Sequence, residues 1–176
     1  WLPQRRFTWM EELGLAGAAL LIGALSAALS YAMRRMLVQA SREFSFEAWI
    51  DPATLELTEG TLFNIAPTTP GQQNLAITQQ GRTLDLTMRT SASGNDGSLR
   101  NTGSIVPSQL HHVVYLRDED NKEQVYVDGL LAYSTQRSGS MNNWANGYGL
   151  SIANSTEGAN PWVGDLYLLA FYSKAL

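Results

Sequence analysis

Residues 111–134 read HHVVYLRDEDNKEQVYVDGLLAYS: an alternating run, a polar turn, a second alternating run, Asp-Gly, and a third. Side chains of a strand point to opposite faces in turn, so His112, Val114 and Leu116 share one face while His111, Val113, Tyr115 and Arg117 share the other. One histidine therefore points toward a core and its neighbour away from it. The pair Asp128-Gly129 sets the turn between QVYV and LLAYS, because a two-residue type I′ hairpin needs positive φ at both central positions and these residues adopt it at low cost. This segment predicts a three-stranded antiparallel meander.

The same period-two pattern extends both ways. It predicts strands near Phe44–Ile50, Thr61–Ile65, Asn74–Gln79, Thr83–Thr90, Gln124–Val127, Leu130–Ser134, Tyr148–Ala153 and Trp162–Tyr172, with Gln80-Gly81 punctuating one hairpin. Short strands at regular spacing with Gly, Pro and Asn between them define an all-β chain, and residues 44–176 are enough for one sandwich core with no further domain boundary or internal repeat.

Four stretches, FSFEAWIDPATL (44–55), NLAITQQGRTLDLTMRT (74–90), LHHVVYLRDEDNKEQVYVDG (110–129) and PWVGDLYLLAFYSKAL (161–176), resemble laminin-G-like domains of the concanavalin-A-like lectin/glucanase superfamily. The resemblance implies an antiparallel jelly-roll sandwich. Such domains often carry Trp before the histidine pair; here Leu110 stands there, which removes a core aromatic rather than a reactive group.

Catalysis is not expected. Retaining glycosidases use two carboxyl groups about 5 Å apart, and the glucanase branch delivers them from one strand as Glu-x-Asp-x-Glu; this chain has Glu47-Ala-Trp-Ile-Asp51, with Trp49 in the middle position. Two histidines that are immediate neighbours facing opposite ways, and no cysteine, leave no recognisable triad and no His-based metal site. Trp49, Trp162, Phe46 and Phe171 read most simply as core-filling residues, with a sugar-stacking platform as the alternative. Calcium is the one cofactor carried forward, on oxygen ligands of the turns SGNDG and ANSTEGAN, with Asn95, Asp96 and Asn154 as candidates; the same residues are ordinary turn formers. For a glycan or partner contact, the aromatics Trp144 and Tyr148 of SMNNWANGYG are the candidates.

Upstream of the β region, Leu13–Met33 is LGLAGAALLIGALSAALSYAM, without one charged side chain. Its length as a helix is roughly 30 Å, the thickness of a bilayer core, and Trp1, Phe7, Trp9 and Tyr31 flank it where interfacial aromatics belong. The organisation expected is a membrane-interface segment 1–12, a transmembrane helix 13–33, a short helical linker 34–43 and the sandwich 44–176. The apolar run is too long for a signal h-region, and a first residue other than Met points to processing or to residues upstream. Ala19, Gly23 and Ala27 recur every four residues, a small-residue stripe suited to close helix packing. Arg5 and Arg6 before the span against Arg34, Arg35 and Arg42 after it do not decide its orientation.

Residues 44–176 carry seven basic against thirteen acidic side chains, net −6, which excludes nucleic acid and adsorption onto anionic lipid. The expectation is a single-pass, non-catalytic interaction domain outside the cytoplasm. Its partners would be other membrane subunits: an accessory subunit of a multi-subunit membrane complex, such as a bacterial photosynthetic or respiratory one. The alternative is a membrane-anchored carbohydrate-binding module.

Overall fold

The computed structural model describes residues 42–95, 97–105 and 108–176, the stretch 98–103 as backbone alone. Ten strands form two antiparallel sheets: β1 Phe44–Pro52, β2 Gly60–Ala66, β3 Leu75–Gln80, β4 Thr83–Met88, β5 Ser98–Ser104, β6 His111–Arg117, β7 Lys122–Val127, β8 Leu130–Gln136, β9 Gly149–Ile152 and β10 Gly164–Tyr172. Sheet A runs β10-β1-β6-β7-β8 and sheet B runs β5-β4-β3-β2-β9. All nine expected strands are present, and β5, SLRNTGS, is an addition. It pairs with β4 at the edge of sheet B and carries no apolar alternation that a sequence pattern could detect.

The inner face of β1, with Phe44, Phe46, Ala48 and Ile50 wholly buried, forms the spine of the core. Phe46 meets Phe63 of β2 with ring centroids 5.4 Å apart, and Phe44 packs against Tyr115 at 5.2 Å and Phe171 at 5.1 Å, so aromatic contacts tie sheet A to sheet B and β1 to its neighbours. Each such side chain contributes about 1.5–3 kcal/mol on leaving water. Trp162 also belongs to this core and donates its indole N–H to Gln79 Oε1 at 2.7 Å.

Trp49 does not. It lies on the outer face of β1, 37% exposed, because Phe46 and Ala48 take the inward parity and an odd position must point out. The expectation that it fills the core is corrected.

Both hairpin readings hold at the level of torsions. Val127 pairs with Leu130 across Asp128 (φ 53°) and Gly129 (φ 76°), a type I′ turn; Gln80 pairs with Thr83 across Gly81 (φ 57°) and Arg82, where positive φ at the first central residue makes the turn type II′. Asp128 does more than turn the chain. Its Oδ2 lies 2.8 Å from His111 Nδ1 and its Oδ1 accepts the His112 backbone N–H at 2.9 Å, clamping the β7–β8 turn to the start of β6. His111 is buried, so the histidine pair and Asp-Gly form one structural latch.

The apolar run 13–33, with Ala19, Gly23 and Ala27, lies outside the described residues; among those described, no helix is long and apolar enough to cross a membrane. The helical linker was expected to reach Glu43. Arg42 instead has φ 63° and Glu43 is irregular, so the last two positions of that linker are not helical.

Candidate functional site

The two sheets differ in what they offer to solvent. On the outer face of sheet B, Thr61, Asn64, Ala76, Thr78 and Asp85 are all buried. On the outer face of sheet A, Trp49, Leu168 and Tyr172 are exposed, and Glu47, His112, Val114, Gln124 and Tyr126 are half-buried. Sheet A therefore presents the accessible sheet surface.

At its centre is a cluster drawn from three adjacent strands. Register places Trp49 beside His112 of β6 and Leu168 of β10, and Glu47 beside Val114 and Ala170. The Trp49 indole stacks on the His112 imidazole, centroids 4.5 Å apart and planes within 18°. His112 Nε2 is 2.9 Å from Glu47 Oε1, and the Tyr172 hydroxyl donates to Glu47 Oε2 at 2.7 Å. The Tyr172 hydroxyl and His112 together hold the Glu47 carboxyl below its ordinary range, so it is ionised and accepts only. Reciprocally, the same carboxylate raises the Tyr172 hydroxyl. With Glu47 ionised, His112 donates to it from Nε2.

Such a constellation offers an aromatic surface beside a fixed, charge-assisted acceptor, suited to a ligand with apolar C–H groups flanked by hydroxyl donors. It does not offer a glycosidase pair. Glu47 and Asp51 share a face, but four residues of strand separate their backbones by about 13 Å, beyond the spacing either stereochemical course uses.

A second carboxylate cluster is sealed inside. Glu123 Oε1 accepts from the Tyr115 hydroxyl at 2.9 Å, from Arg137 Nε, and from Arg117 Nη1 at 3.5 Å; Arg117 also reaches Asn121 Oδ1 and the Gly139 carbonyl. All four principal side chains are at most 2% exposed. Burial, then the Glu123 charge, drives the Tyr115 hydroxyl well above its ordinary value, and burial lowers the Arg117 guanidinium. The cluster joins the β6–β7 turn to the segment after β8.

The sequence-expected site residues fare differently. Trp144 is buried, edge-on to Phe44 at 6.0 Å, with its indole N–H donated to the Arg89 carbonyl at 2.7 Å. Its ring has no free face for a sugar, and that expectation is corrected: Asn74, whose side chain bonds both N–H and C=O of Ala145, draws the loop inward. Tyr148 is half-buried and donates to Gln72 Oε1 at 2.8 Å, apart from the Trp49 cluster. Asn95 accepts the Gln73 N–H through its carbonyl, Asn154 Oδ1 accepts the Ser155 N–H at 2.8 Å, and Asp96 lies outside the described residues. Asn95 thus ties its loop to the segment before β3 and Asn154 makes a local turn contact, and no group of three or more His, Asp or Glu suited to a metal occurs among the described residues. The Trp49 cluster was legible in part: Glu47, Trp49 and Asp51 alternate with the apolar Phe44, Phe46, Ala48 and Ile50, so parity puts Trp49 on the polar face, whereas bulk alone argues for the core.

The chain belongs to the concanavalin A-like lectin/glucanases superfamily, whose laminin-G-type family model matches residues 26–176. None of the curated proteins matches it. Among solved structures, it is similar to the Ruminococcus gnavus IT-sialidase CBM40 bound to α2,3-sialyllactose, at TM-score 0.64 and 12% identity over 76% of this chain and 77% of that one. A native heptameric SAP-like pentraxin from Limulus polyphemus aligns at TM-score 0.56 and 20% identity, covering 77% and 66%. Botulinum neurotoxin type C, described as depending on two ganglioside molecules for cell entry, aligns at TM-score 0.55 and 11% identity over 76% of this chain and 33% of its own. At these identities the likeness establishes the fold, a lectin-like sandwich.

Proposed function

We propose that residues 44–176 form a non-catalytic glycan-binding module, anchored at a membrane through the apolar run 13–33 and displayed outside the cytoplasm, with the outer face of sheet A as its binding surface. The observation that carries this reading is the Trp49–His112–Glu47–Tyr172 cluster on the accessible sheet face. Trp49 supplies apolar contact to the C–H groups of a pyranose, Glu47 accepts hydroxyls, and His112 and Tyr172 hold Glu47 in place. Two structural neighbours, one bound to a sialyllactose and one whose cell entry depends on gangliosides, support a carbohydrate reading over that of an accessory subunit of a membrane complex.

A single exposed aromatic with one carboxylate makes a weak site, on the order of 0.1–1 mM, about −5.5 to −4 kcal/mol. A glycan array followed by calorimetry on the full chain in mild detergent tests this. The expected result is submillimolar to millimolar binding of at least one glycan, weakened tenfold or more by Trp49→Ala at unchanged fold. Binding indifferent to Trp49→Ala, or none at all, overturns the proposal.

A further inference from the structure

The open side of the Trp49 cluster has a definite lining. The His112 imidazole covers one face of the Trp49 indole from the β6 side, so the free face turns toward β10. There the register sets Leu168 beside Trp49 and Ala170 beside Glu47, with Tyr172 next along the same face of β10. Leu168 is 41% exposed, and Ala170, with a single methyl group, leaves the space beside the Glu47 carboxylate unfilled. A strip between β1 and β10 results, with Trp49 as its wall and Leu168 and Ala170 as its floor.

The charge of this strip is of one sign. Glu47, Trp49 and Asp51 alternate on the outer face of β1, about 6.6 Å apart along the strand, and Asp51 stands directly opposite Asp165 of β10. Like charges so opposed repel, and neither aspartate has an ion-pair partner among the described residues. β1 and β10 contain no Lys or Arg, and Arg117 of β6 is turned inward onto Glu123. Glu47 holds one donor on each oxygen, His112 Nε2 on Oε1 and the Tyr172 hydroxyl on Oε2, and each oxygen keeps a free lone pair. Two acceptors fixed side by side match two adjacent hydroxyl groups of a pyranose. A sugar carboxylate brings only acceptors and needs a guanidinium or ammonium group to offset its loss of water.

We propose that the strip takes uncharged sugars with adjacent hydroxyl groups and rejects acidic ones, sialic acids and uronates alike, with Glu47 setting the preference. This rests on the glycan-binding reading and narrows it. The likeness to a CBM40 bound to sialyllactose is one of fold, and among the described residues the three strands of this face present no Lys or Arg to an acidic sugar.

The test uses sugars that differ by one carboxylate. Each glycan found on the array is titrated beside its uronate or sialylated counterpart into the full chain in mild detergent, with ligand-observed NMR as the readout; lactose against sialyllactose and methyl glucoside against methyl glucuronide are the first pairs. The uncharged member should bind about tenfold tighter, since a sugar carboxylate here is repelled by Glu47, Asp51 and Asp165 together. Raising NaCl from about 20 to about 500 mM should cut that ratio about threefold, because exposed charges are screened. Glu47→Gln at low salt should cut it by a similar factor, with thermal unfolding to verify the fold. Acidic members that bind as tightly as their counterparts overturn the proposal and leave the glycan reading standing, and so does a ratio that salt does not lower. A ratio lowered by salt but not by Glu47→Gln overturns the role of Glu47 and assigns the repulsion to Asp51 and Asp165. Absence of binding by every pair overturns the glycan reading and this proposal with it.

Discussion

Sheet A carries two clusters of the same chemistry on its two faces. On the inner face Glu123 accepts from a tyrosine hydroxyl and two guanidinium groups; on the outer face Glu47 accepts from a tyrosine hydroxyl and an imidazole. The difference is solvent. Inside, two cations share one carboxylate where hydration is absent, so each group depends on the others and the cluster acts as a fixed strut. Outside, water substitutes for any lost partner, the interactions add little to stability, and the lone pairs of Glu47 remain open to a ligand. Burial, more than residue type, thus separates a structural carboxylate from a recognition carboxylate.

The largest effect that could break this comparison is Glu123→Gln. It takes away the charged carboxylate that the buried Arg117 and Arg137 share, and removing one partner of a buried ion network costs about 3–5 kcal/mol. For a domain of this size the loss lowers Tm by roughly 10 °C or more. Glu47→Gln, measured in the same thermal unfolding series on the full chain, should cost under about 1 kcal/mol, as exposed pairs do. Equal losses for the two substitutions would show that the outer cluster is structural too.

These two clusters also mark what the sequence could and could not disclose. Period-two alternation and the Asp-Gly turn placed nine strands, because a buried face and a two-residue I′ hairpin leave direct traces in residue order. Alternation likewise put Tyr115 and Arg117 on the face of His111. It did not identify that face as carrying buried charge, since an Arg at the end of a strand normally reaches water; the second guanidinium on Glu123, that of Arg137, comes from beyond β8, a contact set by tertiary packing. Trp49 was read as core for a related reason: bulk and apolarity suggest burial, but parity relative to Phe46 and Ala48 decides it. Trp144 erred the opposite way. Its loop is polar and Gly-rich, which suggests exposure, yet Asn74 and the Arg89 carbonyl pin it inward.

Between the extremes lies the Asp128 latch, half-exposed and joined to both histidines. Asp128→Ala removes the contact to His111 and the acceptor for the His112 N–H, and places alanine at φ 53°, a region where only Gly, Asn and Asp are comfortable. Two lost hydrogen bonds at about 0.5–1.5 kcal/mol each, plus about 1 kcal/mol of backbone strain, give a loss of about 2–4 kcal/mol. Asp128→Asn keeps the turn conformation and should recover at least half of it. Denaturant unfolding of both variants checks the split. If asparagine is no better than alanine, the carboxylate bonds rather than the backbone dominate the latch.

The smallest expected effect is in pH, and it sharpens the comparison because only groups that touch water can titrate freely. The Tyr172 hydroxyl and then His112 lower Glu47; for Asp128, burial works to raise the carboxyl, but the His112 N–H and the His111 side chain outweigh it and the net shift is downward. A carboxyl depressed in the folded state binds fewer protons there than in the unfolded chain. Its contribution to stability is therefore complete above the ordinary carboxylate values, 4.5 for Glu and 3.8 for Asp, and is lost as pH falls through the lower folded values. Stability from these two groups should be flat from pH 7 down to about 5 and decline between about 4.5 and 3. Glu47→Gln removes one of the two titrations, so its Tm should converge on that of the parent as the pH approaches 3, having been slightly lower at pH 7. Thermal unfolding of both proteins across this range provides the measurement. A Tm difference that stays constant with pH would mean that Glu47 contributes shape to the outer cluster and not charge, and its role as the acceptor of a ligand would then lose its electrostatic basis.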